Sequence, residues 1–195
     1  LFRSALAYSS VAQIGYILVG VTMLTVDGMT GALVHVFNHA LMKGGLFMVL
    51  GCVVARVGGS RLGDLRGIGR RMPLTAIAFV IGGLGMIGVP TTVGFVSKWY
   101  LVLGALEAGR WPVAALMLVS SLLAVVYIWR VVEVMYFQEP EDAPDIDESK
   151  TDEAPLGMLL PTLVMIGATI WFGLDTDLTV DVARRTAAML LGDGS

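Results

Sequence analysis

The chain has 195 residues, 56% of them hydrophobic and 15% charged, with a mean hydropathy of +0.79 and a formal net charge of -3. That profile excludes an ordinary soluble enzyme and points to a membrane protein. With the single cysteine, Cys52, in an apolar run, no internal disulfide is possible, and a small buried hydrophobe is the expected role.

Five hydrophobic stretches follow in chain order: 4–26, 30–57, 72–106, 112–137 and 156–174. A bilayer core of about 30 Å takes about 20 helical residues, so four of these read as single spans. The first stretch is too long for a signal peptide and is followed by further spans. The chain begins at Leu1 and is read as the C-terminal part of a larger protein. Within the first stretch, "AYSSVAQIGY" places Ser9, Gln13 and Tyr16 on one helical face. They suit a wet polar lining and equally suit hydrogen bonding between helices.

The second stretch contains "HVFNHALMKGG", with His35, His39 and Lys43 at i, i+4 and i+8 on one stripe. Lys43 lies about a dozen residues from either end, roughly 18 Å, beyond what a lysine stem can cover. A lysine at the membrane centre costs about 2.5–3.5 kcal/mol on insertion scales, so its presence implies use or a partner. A neutral amine can accept a proton and hand it on, and imidazole can shuttle protons between its two nitrogens. The stripe therefore reads as a candidate proton wire. Zinc is the weaker reading, because "HVFNH" lacks the glutamate of a metalloprotease helix and no third ligand stands near.

The third stretch, 72–106, is too long for a straight span and holds "GVPTTVGFVSKW" at 88–99. Pro90 removes a backbone donor, and Gly88 and Gly94 loosen the helix on either side. The expectation is a broken helix, 73–88 and 95–106, whose halves meet within the membrane, where irregular backbone must be buried or line a wet cavity. Lys98 follows the break, with the amide end of the second half-helix expected beside it.

The fourth stretch carries Arg130 and Glu133 at i, i+3, read as a local ion pair. Residues 138–155, "QEPEDAPDIDESKTDEAP", hold eight acidic residues and one lysine and read as a solvated linker before the fifth span, 156–174. The tail, 175–195, offers a short amphipathic helix over 178–191, with a poorly ordered terminus as the alternative. Arg3, Arg56, Arg61, Arg66, Arg70 and Arg71, with Arg130 and Lys150, fall on one side if spans alternate; Arg110, Arg184 and Arg185 fall on the other. Positive-inside then puts the 56–71 loop and the acidic loop in the cytoplasm and the C-terminus outside a multi-pass cell membrane protein.

The blocks "ALAYSSVAQIGYILVG", "HVFNHALMKGGLFM" and "GIGRRMPLTAIAFVIGGLGMIGVPTTVGFVSKWYLV" resemble the proton-conducting antiporter-like membrane subunits. That family includes subunits of Mrp-type cation/proton antiporters, respiratory complex I and membrane-bound hydrogenases. The resemblance covers residues 1–137, and "FVSKWYLVLGALEAG" looks most like the D subunit of Mrp-type antiporters. It implies an all-α polytopic membrane fold: a five-span C-terminal fragment of an antiporter-like bundle with one broken transmembrane helix. In the family pattern Lys98 matches the protonatable lysine of the second-repeat broken helix, and His35, His39 and Lys43 match the central polar axis.

The resulting expectation is a transporter subunit, not an enzyme in itself, exchanging Na+ for protons through His35, His39, Lys43 and Lys98. Its partners would be other membrane subunits and the lipid bilayer; no cofactor, metal or nucleic acid is expected. The rivals are a proton-pumping subunit of a redox-driven NADH-quinone oxidoreductase or hydrogenase complex, and a non-conducting structural subunit.

Overall fold

The computed structural model describes residues 2–139 and 152–192, with side chains from Leu6 onward. Every regular element among them is helical. The order is α1 (Phe2–Thr22), α2 (Val26–Val57), a 3-10 turn (Gly63–Leu65), α3 (Ile68–Arg71), α4 (Pro73–Ile87), α5 (Val93–Glu107), α6 (Trp111–Phe137), α7 (Leu156–Leu174) and α8 (Asp177–Leu191).

The boundary between the first two helices differs from the hydropathy reading of 4–26 and 30–57. Thr25 is the N-cap of α2, its Oγ1 accepting from the Gly28 amide at 3.1 Å, and Asp27 sits in the first turn. Capping chemistry thus starts the second helix at Val26, four residues before the hydropathy reading began it, and the first helix ends at Thr22, four residues before that reading ended it. The 56–71 loop also contains two short helical pieces, and the chain turns by 112° between Gly63–Arg71 and α4.

α2 is the central element. Its 32 residues extend about 48 Å, and α1, α4, α5, α7 and α8 all pack on it. Met42, Leu46, Val49 and Val53 of α2 bury against Phe79 and Met86 of α4, Ile128 and Met135 of α6 and Ile166 of α7. Nearer its start, Ala32 joins Tyr16, Leu101 and Met117. α5 approaches so closely that a side chain at Gly104 would run into the Gly28 backbone. The outer faces stay apolar and uncovered, with Val11 and Leu18 on α1, Leu122 and Val126 on α6, and Leu160 and Val164 on α7. Bare apolar faces of this extent belong against lipid or other membrane helices.

α2, α6 and α7 are each long and apolar enough to cross a membrane alone. α4 and α5 have 15 residues apiece, about 22 Å, too short singly. The break falls where Pro90 places it: α4 stops at Ile87, Gly88 takes φ 90° and Thr91 φ 81°. α5 starts at Val93, two residues earlier than expected, so Gly94 lies in its first turn rather than in the break. There its bare Cα leaves room for the Gly85 carbonyl of α4.

The arginines gather at opposite ends of the bundle. At one end Arg56 and Arg71 reach Asp152 at 3.6 and 3.5 Å, and Arg66 donates to Gln138. At the other, Arg184 pairs with Asp27 at 2.7 Å and Arg110 donates to the Thr22 carbonyl. Arg130 and Glu133 form the local pair expected of them, at 2.9 Å. The tail is helical over 177–191: α8 lays Val180 and Ala183 on Val34 of α2 and Val96 of α5. Most of the acidic linker, 140–151 with Lys150, and the Arg3 side chain lie outside the described residues.

Candidate functional site

The buried polar side chains converge where α1, α2 and α5 meet. His35 is fully buried on α2. Its Nδ1 lies 2.8 Å from Ser97 Oγ on α5, and its Nε2 lies 3.0 Å from Gln13 Oε1 on α1. With the amide oxygen facing it, Nε2 carries the hydrogen and donates; Nδ1 then accepts from the Ser97 hydroxyl. If His35 gains a second proton, Nδ1 becomes a donor, and Ser97 can turn its own hydrogen towards the Val93 or Gly94 carbonyl, 3.5 and 3.4 Å away. Ser97 therefore accommodates both protonation states of the ring.

The i, i+4 spacing stacks His35 and His39, with ring centres 6.1 Å apart and planes 12° from parallel. Stacked rings direct their nitrogens sideways, so a proton passing between them needs an intervening water. Among the described residues, His39 Nδ1 and the neighbouring Asn38 Oδ1 are buried without a hydrogen-bond partner, and such atoms commonly hold water in native proteins. The other end of the Asn38 amide donates to the Val93 carbonyl at 2.7 Å, which ties α2 to the start of α5.

Lys43 turns towards α1, where its Nζ donates to the Leu6 carbonyl and to Ser9 Oγ. Lys98 turns the other way. Helical side chains lean towards their own N-terminus, so Lys98, in the second turn of α5, reaches back across the break. Its Nζ donates to the carbonyls of Met86 and Ile87 at 2.8 Å each, and to Ser121 Oγ of α6 at 3.0 Å. These three acceptors match the three hydrogens of an ammonium. This corrects the expectation that the amide end of the second half-helix would face it: the amine meets the carbonyl end of α4, because the side chain points backwards out of α5. A cavity of about 290 Å³ opens beside it, lined by Lys98, Ser121, Phe95, Trp99 and Met117 among others.

The α1 face read from the sequence meets these groups in register. Ser9 touches Lys43, Gln13 touches His35, and Tyr16 stands edge-on to His35 at 5.7 Å with its ring 5.4 Å from Lys98 Nζ. The Tyr16 hydroxyl donates to the Met117 carbonyl at 3.3 Å. Three side chains escaped the sequence reading: Ser97, Ser121 and Asn38. Ser97 stands beside Lys98 in "VSKW" and Ser121 in a serine pair inside an apolar run, so polarity within a span was the available signal.

Residues 2–124 match the family model described as NADH:quinone oxidoreductase/Mrp antiporter, TM. The chain is 48% identical over 174 residues to NADH-quinone oxidoreductase subunit N of Desulforudis audaxviator, covering 85% of this chain and 35% of that protein. It is 28% identical over 184 residues to the D subunit of a Na(+)/H(+) antiporter of Bacillus subtilis, covering 94% of this chain and 36% of that one. In three dimensions it resembles a chain of the Mrp complex from Dietzia sp. DQ12-45-1b with a TM-score of 0.86 and 28% identity, over 97% of this chain and 43% of that chain. The chain thus spans about a third of the length of these curated relatives.

Proposed function

Because the chain belongs to the NADH:quinone oxidoreductase/Mrp antiporter membrane family, we propose that it forms part of a proton-conducting subunit, with His35, His39, Lys43 and Lys98 as the groups that take up and release protons. The carrying observation is that α1, α2 and α5 bring Lys43, His35 and Lys98 together with Ser9, Gln13, Tyr16 and Ser97 inside an otherwise apolar bundle. Ionisable groups are costly to place within a membrane even when hydrogen-bonded, so four of them in one bundle favour a functional role. α4 and α5, joined through residues 88–92 with Gly88 and Pro90 at the break and Gly94 in the first turn after it, serve together as one broken span, which with α1, α2, α6 and α7 makes five. The Arg56–Arg71 end faces the cytoplasm, by the excess of arginine there.

Two driving forces suit such a relay. We favour electron transfer, in a complex with other membrane subunits, because identity to a quinone oxidoreductase subunit N reaches 48%, against 28% for the D subunit of an antiporter. The second reading is Na+/proton exchange in an Mrp-type assembly, supported by the TM-score of 0.86 to a chain of an Mrp complex.

The test uses everted vesicles holding the full-length parent protein with its operon partners, in a host without its own antiporters, and a pH-sensitive dye. Under the favoured reading, an electron donor drives acidification and Lys98→Ala abolishes it at equal expression. Acidification that survives Lys98→Ala removes Lys98 from the proton path. A pH change triggered by sodium without any donor selects the antiporter reading.

A further inference from the structure

The two nitrogens of His35 have unequal neighbours. Nδ1 faces a hydroxyl, which can accept one proton while giving up another. Nε2 faces the Gln13 carboxamide, which does neither, whichever of its ends is turned to the ring. Gln13 is itself only 4% exposed and His35 is fully buried, so no solvent competes for Nε2. Tyr16 closes one side of the ring edge-on, and the stacked His39 ring closes another. A proton on Nε2 therefore has no onward path while Gln13 stays in place. Beyond this point the unpartnered His39 Nδ1 marks a site with unmet hydrogen-bonding capacity on the same helix.

We propose that Gln13 is the gate of the histidine relay: its amide stops Nε2 of His35, and protons cross the ring only when Gln13 swings aside and water takes its place. This inference rests on the proton-relay reading above. With the amide displaced, a hydronium on the Ser97 side gives a proton to the hydroxyl as Ser97 passes its own to Nδ1, which leaves a water there and an imidazolium. The imidazolium then gives its Nε2 proton to the water that stands where the amide was, and that water becomes hydronium. The imidazole ends as its other neutral tautomer, and one proton has moved from the Ser97 side to the Gln13 side. Nε2 is now bare, so Gln13 returns with its NH2 end donating to it, and the ring must recover its Nε2–H tautomer before the next proton moves; the returned amide thus separates one transfer from the next, which a pump requires if protons are not to run backwards.

The experiment is a passive-leak measurement on the complete complex in everted vesicles, with no electron donor and no sodium gradient. An acid jump is imposed and its decay is followed with a pH dye, and potassium leak is followed in parallel. Gln13→Ala, which removes the amide and leaves room for water, is expected to speed proton leak several-fold with potassium leak unchanged. Adding Lys98→Ala to Gln13→Ala is expected to return the leak to the wild-type rate, because the leak runs through the relay. Unchanged leak in Gln13→Ala overturns the gate, as does leak that also admits potassium or persists in the double variant. Driven acidification in Lys98→Ala alone separates the two levels. If it survives, the relay reading itself fails; if it is lost while Gln13→Ala stays tight, only the gate fails.

Discussion

Lys98 and Ile87 are joined across the helix break: the amine at the start of α5 donates to the last carbonyl of α4 at 2.8 Å. The carbonyls that an unbroken helix would have spent on its own next turn are free at Met86 and Ile87 because Gly88 ends α4 and Pro90 offers no amide. The break thus makes the acceptor site, and Lys98 is the residue placed to use it.

A relay lysine must be able to lose its proton, which arginine cannot do. Lys98→Arg is therefore expected to keep a positive charge near the Met86 and Ile87 carbonyls yet to lower donor-driven acidification by about a hundredfold, within the range that a positioned proton-transfer group supplies. Dye quenching in vesicles, normalised to subunit content, measures it. A rate near wild type would assign Lys98 a purely electrostatic part.

Gly94 is pressed against the Gly85 carbonyl, whereas a side chain at Gly157 meets open space. Gly94→Ala is expected to push the half-helices apart at a cost of about 1–3 kcal/mol or more. Gly157→Ala should be close to neutral. Thermal unfolding of the solubilised complex compares the two, and equal melting behaviour would mean the close approach has no energetic weight.

Glu153 caps the start of α4: its carboxylate accepts from the Leu74 and Thr75 amides and from the Thr75 hydroxyl. Glu153→Ala is expected to cost about 1 kcal/mol, the usual size of a lost helix cap. Asp152→Ala, which removes half-exposed pairs to Arg56 and Arg71, should cost less. Melting curves of the two variants rank them, and the reverse order would overturn the assignment.

Cys52 is fully buried, with its sulfur 3.5 Å from Thr162 Oγ1. A maleimide is expected to leave it unlabelled in the folded complex and to label it fully in denaturant. Labelling at native conditions, read by mass spectrometry, would show that α2 and α7 part there.

Much of the framework was legible because a bilayer imposes simple rules. Runs near 20 apolar residues became α6 and α7 almost residue for residue, and Pro90 between two glycines marked the break. The Ser9, Gln13 and Tyr16 face was visible from periodicity, since positions one turn apart share a side of the helix. What each of those residues touches was not visible, because partners come from packing between helices far apart in sequence. The start of α2 was misplaced because hydropathy ignores the Thr25 cap. The direction of Lys98 was missed because the reading followed the nearest helix end in sequence, whereas the side chain leans back over the break. Subunit class was the least legible: "FVSKWYLVLGALEAG" suggested the D subunit of an antiporter, while identity over 174 residues is higher to a quinone oxidoreductase subunit N.

α2 carries His35, His39 and Lys43, and it is also the helix that touches nearly every other one. A helix gripped on so many sides is poorly suited to tilt or slide during turnover. In the proposed relay, groups mounted on it would keep fixed coordinates, like stepping stones set in bedrock, and whatever opens and closes between them would be small: a side-chain rotation, a water arriving or leaving. The bundle is thereby suited to a machine that moves charge while its own backbone stays nearly still.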